Sequence, residues 1–169
     1  MKKRILFSIM VLVILALTLV SPFPVAAKST KTPICSLQTV VNVVAGQEWY
    51  TDNNTILHVR GMTTYSTIEP KPGCPEPDSI YAHANLSLKV NVELNVTTGA
   101  GTTWGTGITT FPGVNGTFVG PFVGKIENYF VSGKSLGIGT GDLKGQLEVI
   151  SFHQTSWTTY EGTGYIFAP

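Results

Sequence analysis

Two glutamates stand where a carboxyl group could do chemistry. Glu127, in Lys125-Ile126-Glu127-Asn128-Tyr129-Phe130, and Glu148, in Gln146-Leu147-Glu148-Val149-Ile150, both have apolar residues on either side. An acid in such a run that points into a protein interior is partly desolvated, its pKa is raised, and it can hold or protonate a ligand. If it points outward it faces water, or it pairs with Lys125 or Lys144. Trp104, Tyr129, Trp157 and Tyr165 are large rings that could line an apolar cavity beside such an acid or simply fill a core. His58, His83 and His153 lie 25 and 70 residues apart, with no His-x-His or His-x-x-x-His pair to set two rings on one face. Metal ligation is therefore not expected. His83 reads as solvated, while His153, next to Phe152 near the end of an apolar run, joins the cavity candidates. No Gly-x-Ser-x-Gly elbow occurs, and Gly133-Lys134-Ser135 lies between strand patterns rather than opening a helix, so neither a serine nucleophile nor a phosphate loop is read. No cofactor is implied.

The groups that could act must be placed by elements that function outside the cytoplasm. Residues 1–27 divide into a basic start (Lys2, Lys3, Arg4), an apolar run over 5–20 and a Pro-containing end that closes on Val25-Ala26-Ala27. This is the pattern of a secretory signal peptide, with cleavage expected before Lys28. The alternative is an uncleaved membrane tether, but the run of 16 residues is shorter than the ~20 a spanning helix needs. No membrane span is expected after cleavage. The whole chain has 11 basic and 10 acidic side chains, so losing Lys2, Lys3 and Arg4 leaves eight against ten, net −2 with His neutral. That balance excludes the basic surface a nucleic-acid binder needs. An exported chain meets oxidising conditions, so Cys35 and Cys74, its two cysteines, are expected to form a disulfide worth roughly 3 to 4 kcal/mol. Cys74 sits in a stretch over 69–79 whose four prolines exclude a helix or a central strand. That stretch reads as a surface loop, and residues 28–36 as an N-terminal arm. Asn53, Asn85, Asn95 and Asn115 each begin an Asn-x-Ser/Thr triplet, relevant where the host glycosylates exported chains.

The remainder of the chain reads as strands. Over 82–97, Ala82, Ala84, Leu86, Leu88, Val90, Val92, Leu94 and Val96 alternate without a break against polar residues. Period two of that length predicts one long, half-buried strand. Further strands are predicted over 37–45, 48–50, 55–68, 103–111, 117–131, 134–138, 143–152 and 157–167, separated by Gly- and Asn-rich turn signals. After residue 27 there are five alanines against 21 threonines, and no run with a helical apolar period. A single all-β domain over 28–169 follows, either an antiparallel up-and-down β-barrel of about eight strands or a two-sheet β-sandwich. Thirteen glycines among residues 99–145, several inside strand patterns, favour the barrel, because glycine marks the bends that closing a sheet requires.

The corner Gly139-Thr140-Gly141-Asp142-Leu143-Lys144-Gly145, the strand that follows it, and the final Gly162-Thr163-Gly164-Tyr165-Ile166-Phe167 resemble the C-terminal part of the allene oxide cyclase-like and dirigent-like β-barrels. The resemblance implies an eight-stranded antiparallel barrel in which Gly139, Gly141 and Gly145 permit a tight corner and Leu143 plugs the barrel end. It also implies association into a homo-oligomer through outer faces. No catalytic residue is carried over, since fold does not specify function.

Three functions are compatible with such a chain. The first expectation is a secreted barrel that binds a small apolar ligand inside, with Glu127, Tyr129, Glu148, Trp104 and His153 as the cavity candidates. The second is a cell-surface structural or adhesive module with a packed core, and the third an isomerase or cyclase-type enzyme. They divide on whether the barrel holds a cavity and whether an acid points into it.

Overall fold

The computed structural model describes residues 29–74 and 82–169. The expected leader with its expected cleavage point, and residues 75–79 of the Pro-rich stretch, lie outside the described residues. Nine strands follow one another: β1 (Thr30–Val44), β2 (Gln47–Thr51), β3 (Ile56–Pro70), β4 (Ala84–Asn95), β5 (Ala100–Thr110), β6 (Thr117–Glu127), β7 (Phe130–Gly139), β8 (Leu147–Gln154) and β9 (Thr159–Ala168). The one helical element described is the short 3-10 turn Gly141–Leu143.

All neighbouring strands pair antiparallel, in the order β1-β9-β8-β7-β6-β5-β4-β3-β2, and β1 also pairs with β3. That last pairing closes eight strands into a barrel and removes the sandwich alternative. The remaining strand, β2, lies outside it. Val44 pairs with Thr63 and Gln47 with Arg60, so β2 continues the β1 register along β3, past the point where β9 stops at Thr159 opposite Thr39. Bulges between Val40 and Asn42 on β1 and between Val59 and Met62 on β3 bend this hairpin, as extra residues in one strand of a pair do.

The period-two pattern of β4 appears as predicted, with Ala84 and Val90 buried and Asn85 and Lys89 exposed. Several boundaries differ from expectation: β3 runs on to Pro70, inside the stretch read as a loop, and the strand read over 143–152 begins at Leu147, with Leu143 in the 3-10 turn. Residues 30–36 are not an arm: they form the first half of β1 and pair with β9 from Thr30–Ala168 to Ser36–Gly162. The predicted strand over 117–131 is two strands, joined by the two-residue turn Asn128-Tyr129, both in the left-handed region (φ 52° and 67°). Such a turn matches the twist of a hairpin, and here Tyr129 is held by its amide donating to the Gly99 carbonyl at 2.8 Å and its hydroxyl donating to the Val96 carbonyl.

The barrel is closed at one end, the end where β7 passes into β8. Ile34, Ile68, Ala84, Phe111, Phe118, Leu143, Ile150 and Ile166 form one buried cluster there. Leu143 belongs to this cluster and plugs the end. In the corner that delivers it, Gly141 and Gly145 take positive φ (55° and 89°), whereas Gly139 is needed for closeness, a Cβ on it falling 2.0 Å from the Leu143 carbonyl oxygen. Cys35 and Cys74 form the expected disulfide, with Cα atoms 5.9 Å apart. It fastens the start of the Pro-rich loop to β1, where Lys71 N–H also donates to the Cys35 carbonyl at 3.1 Å. A disulfide fits an oxidising, extracytoplasmic environment. Among the described residues no helix is long and apolar enough to cross a membrane.

Candidate functional site

Alternation along every strand sends one set of side chains into the barrel. Above the closed end these inward residues leave a cavity of about 190 Å³. Its walls are unlike. β4 contributes Leu86, Leu88, Val90 and Val92, and β6 contributes Phe118, Phe122 and Ile126. Ser36 and Gln38 of β1, Thr64 of β3, Ser135 of β7, Glu148 of β8 and Tyr160 of β9 bring the polar groups. Gly107, Gly120, Gly137 and Gly162 also line it, each at a point where a Cβ would fall 1.9 to 2.9 Å from a neighbouring atom.

Glu148 is 5% exposed and lies beside Gly137, where a Cβ would stand 2.9 Å from Phe118 Cβ and 3.3 Å from Glu148 Oε2. A side chain at residue 137 would therefore press on Phe118 and on the carboxyl group. Gln38 Nε2 donates to Ser66 Oγ at 3.0 Å, and Thr103 Oγ1 donates to the Asn91 carbonyl at 3.0 Å, so these two are anchored to the wall. Burial pushes the Tyr160 hydroxyl up from its ordinary value, which keeps it a neutral donor and acceptor.

Of the five expected cavity residues, Glu148 alone among the described lining residues takes that place. Glu127 is exposed at the end of β6 and accepts a hydrogen bond from Lys125 Nζ at 2.8 Å. Its own strand explains this, because Phe122, Gly124 and Ile126 are the buried alternates and the next residue must point out. Tyr129 is exposed in its turn. Trp104 lies on the outer surface, its ring 4.6 Å from the Arg60 guanidinium, which in turn stands 5.4 Å from Trp49. His153 is exposed, with Nε2 3.6 Å from Glu161. Trp157, 77% exposed, stacks on Phe130, and Tyr165 packs outside under the Lys31 ammonium at 3.6 Å.

The remaining histidines are also tied to the outside. His83 Nδ1 is 2.8 Å from Glu69. His58 stacks on Trp49 at 5.1 Å and shares a hydrogen bond with Thr51 at 2.9 Å. The His58 contacts secure the hairpin of β2 and β3 where it passes beyond the barrel.

Below them on the outer wall, Glu161 Oε2 accepts from Lys71 Nζ at 2.6 Å. The bonded ammonium holds the Glu161 carboxyl below its ordinary range, desolvation opposes, and the charges of Lys71 and His153 lower it further. Tyr160 and Gln38 were absent from the expected site. The signal that could have found them is parity: Tyr160 shares a face with the inward Gly162 and Ile166, and Gln38 with Ile34 and Ser36. Compared with known protein families and with curated proteins, the chain matches none.

Proposed function

We propose that this chain is an exported barrel that binds a small, mostly apolar molecule in its interior. The cavity carries the reading. An enclosed apolar space of about 150 Å³ holds benzene, so a cavity of about 190 Å³ suits a ligand of one ring, below the ~300 Å³ where drug-sized sites begin. Export is supported by the leader pattern over 1–27 together with the Cys35–Cys74 disulfide.

Leu88→Trp tests it. Leu88 lies midway along the aliphatic wall, and an indole there fills the cavity at an overpacking cost of roughly 1 to 3 kcal/mol. Toluene added to the chain over residues 28–169 is expected to shift the methyl resonances of Leu88, Val90 and Ile150 in wild type. In the folded Leu88→Trp protein those of Val90 and Ile150 should stay unmoved. Shifts confined to outer methyls such as Val123, or none, would overturn the reading.

A further inference from the structure

A cluster of uncharged polar groups stands on one side of the cavity. Ser36 and Gln38 of β1, Thr64 of β3 and Tyr160 of β9 line it from three strands that adjoin one another. In the order β1-β9-β8-β7-β6-β5-β4-β3, closed back to β1, three strands separate β1 from β6 in either direction. The lining residues of β6 are Phe118, Gly120, Phe122 and Ile126, so hydroxyls and an amide face rings and hydrocarbon across the barrel. A molecule between them must be apolar on one side and meets hydrogen-bonding groups on the other.

Two of those groups sit side by side with capacity to spare. Gln38 and Tyr160 are register partners, which sets their side chains next to each other on the inner face, with Cβ atoms about 5 Å apart. Phe152 stands edge-on to the Tyr160 ring at 6.5 Å and to Phe122 at 6.4 Å, so packing holds the ring in place. Gln38 Nε2 is engaged by Ser66 Oγ at 3.0 Å. Its Oε1 and the Tyr160 hydroxyl make no hydrogen bond among the described residues, although a tyrosine hydroxyl drawn out of water ordinarily has a partner. Charged head groups suit the site poorly. No Lys, Arg or His lines the cavity among the described residues, so an anion would lose its water without a counter-charge. Neither lining acid stands uncommitted, Glu161 being bonded outward to Lys71 and Glu148 having a contact of its own. A ligand hydroxyl matches what remains, because it can donate to Gln38 Oε1 and accept from Tyr160 at once.

We infer that the ligand is a compact, uncharged phenol or alcohol, its hydroxyl held between Gln38 and Tyr160 and its hydrocarbon body laid toward β6. This rests on the cavity-binding reading, and the test separates the two. Phenol and toluene are nearly the same shape and differ by a hydroxyl in place of a methyl. Both are titrated into the chain over residues 28–169, with binding read from the inward methyls of Leu88, Val90 and Ile150. A cavity that left the phenol hydroxyl unpaired would favour toluene by about tenfold or more. Phenol is expected instead to bind at least as tightly as toluene, and benzoate and benzylamine, which carry charge, more weakly than phenol. Tyr160→Phe keeps the ring beside Phe152 and removes the hydroxyl. It should weaken phenol by about fivefold or more and leave toluene within about twofold of wild type. A tenfold preference of the unmodified protein for toluene overturns the inference without recourse to any variant, as does tighter binding of either charged probe than of phenol. Phenol binding that is unchanged in Tyr160→Phe overturns it too. In each of these outcomes the cavity reading stands, whereas failure of every probe to move the inward methyls removes that reading as well.

Discussion

The two ends of the barrel are built on opposite terms. At the end carrying Leu143, eight apolar side chains form a continuous buried cluster, and a disulfide ties the loop after β3 to β1. At the other end the hairpin of β1, β2 and β3 runs on without β9, and β2 with the end of β1 is open to water: Val41 is 62% exposed and Tyr50 51%. Cooperative stability is thus concentrated on one side of the cavity. A barrel closed and stapled at one end can tolerate an interior left unfilled above it, because the cost of missing contacts falls on few residues while the closed end fixes the register of all eight strands.

The largest effect expected from this contrast comes from truncating a core side chain of the closed end. Phe118, 2% exposed and edge-on to Phe111 at 5.8 Å, should cost roughly 3 to 5 kcal/mol as Phe118→Ala. Val43→Ala, on the overhanging hairpin at 53% exposure, should stay within about 0.5 kcal/mol. Urea unfolding of both variants measures the difference. Equal costs would mean that the overhang is covered in solution and the contrast between the ends is false.

Next in size is the staple. Removing it as the double variant Cys35→Ser/Cys74→Ser frees a loop with a sequence separation of 39, worth roughly 3 to 4 kcal/mol in the chain-entropy model. The loss should appear as a lower urea midpoint, with toluene still reaching the inward methyls of the folded fraction. Loss of toluene binding in protein that remains folded would show that the staple shapes the cavity rather than only stabilising the end.

How far the sequence discloses this arrangement depends on which signals are local. The alternation in β4 is local, as are the Gly-rich corner and the cysteine pairing, and each is seen in the structure. The strand over 30–36 was not legible, because what makes it a strand is its partner β9, more than a hundred residues away. The turn at Asn128-Tyr129 lacks the glycine that usually marks a two-residue hairpin, and its support comes from Gly99 and Val96 on another loop. Glu127 and Glu148 look alike in their own runs, yet a shift of one residue decides which face a side chain takes. For Glu127 the alternates Phe122, Gly124 and Ile126 could have settled it. For Glu148 they could not, since its outer neighbour Leu147 is itself apolar and stands in an exposed row with Ile138 and Val119.

The smallest expected effect concerns the ion pair that fastens the Pro-rich loop to the outer wall. Lys71 and His153 hold the Glu161 carboxyl below its ordinary range in the folded chain, so the folded state binds its proton less readily than the unfolded chain does. Stability from this group is present above the unfolded pKa and is lost as pH falls through the lower folded value. Wild type should therefore lose more thermal stability than Glu161→Gln as the pH is taken below about 4.5, and the two should run parallel above it. Added salt should narrow the gap, because the pair is partly exposed and exposed charges are screened. Parallel curves below that pH as well would leave the Lys71 contact with no part in holding the loop to the barrel.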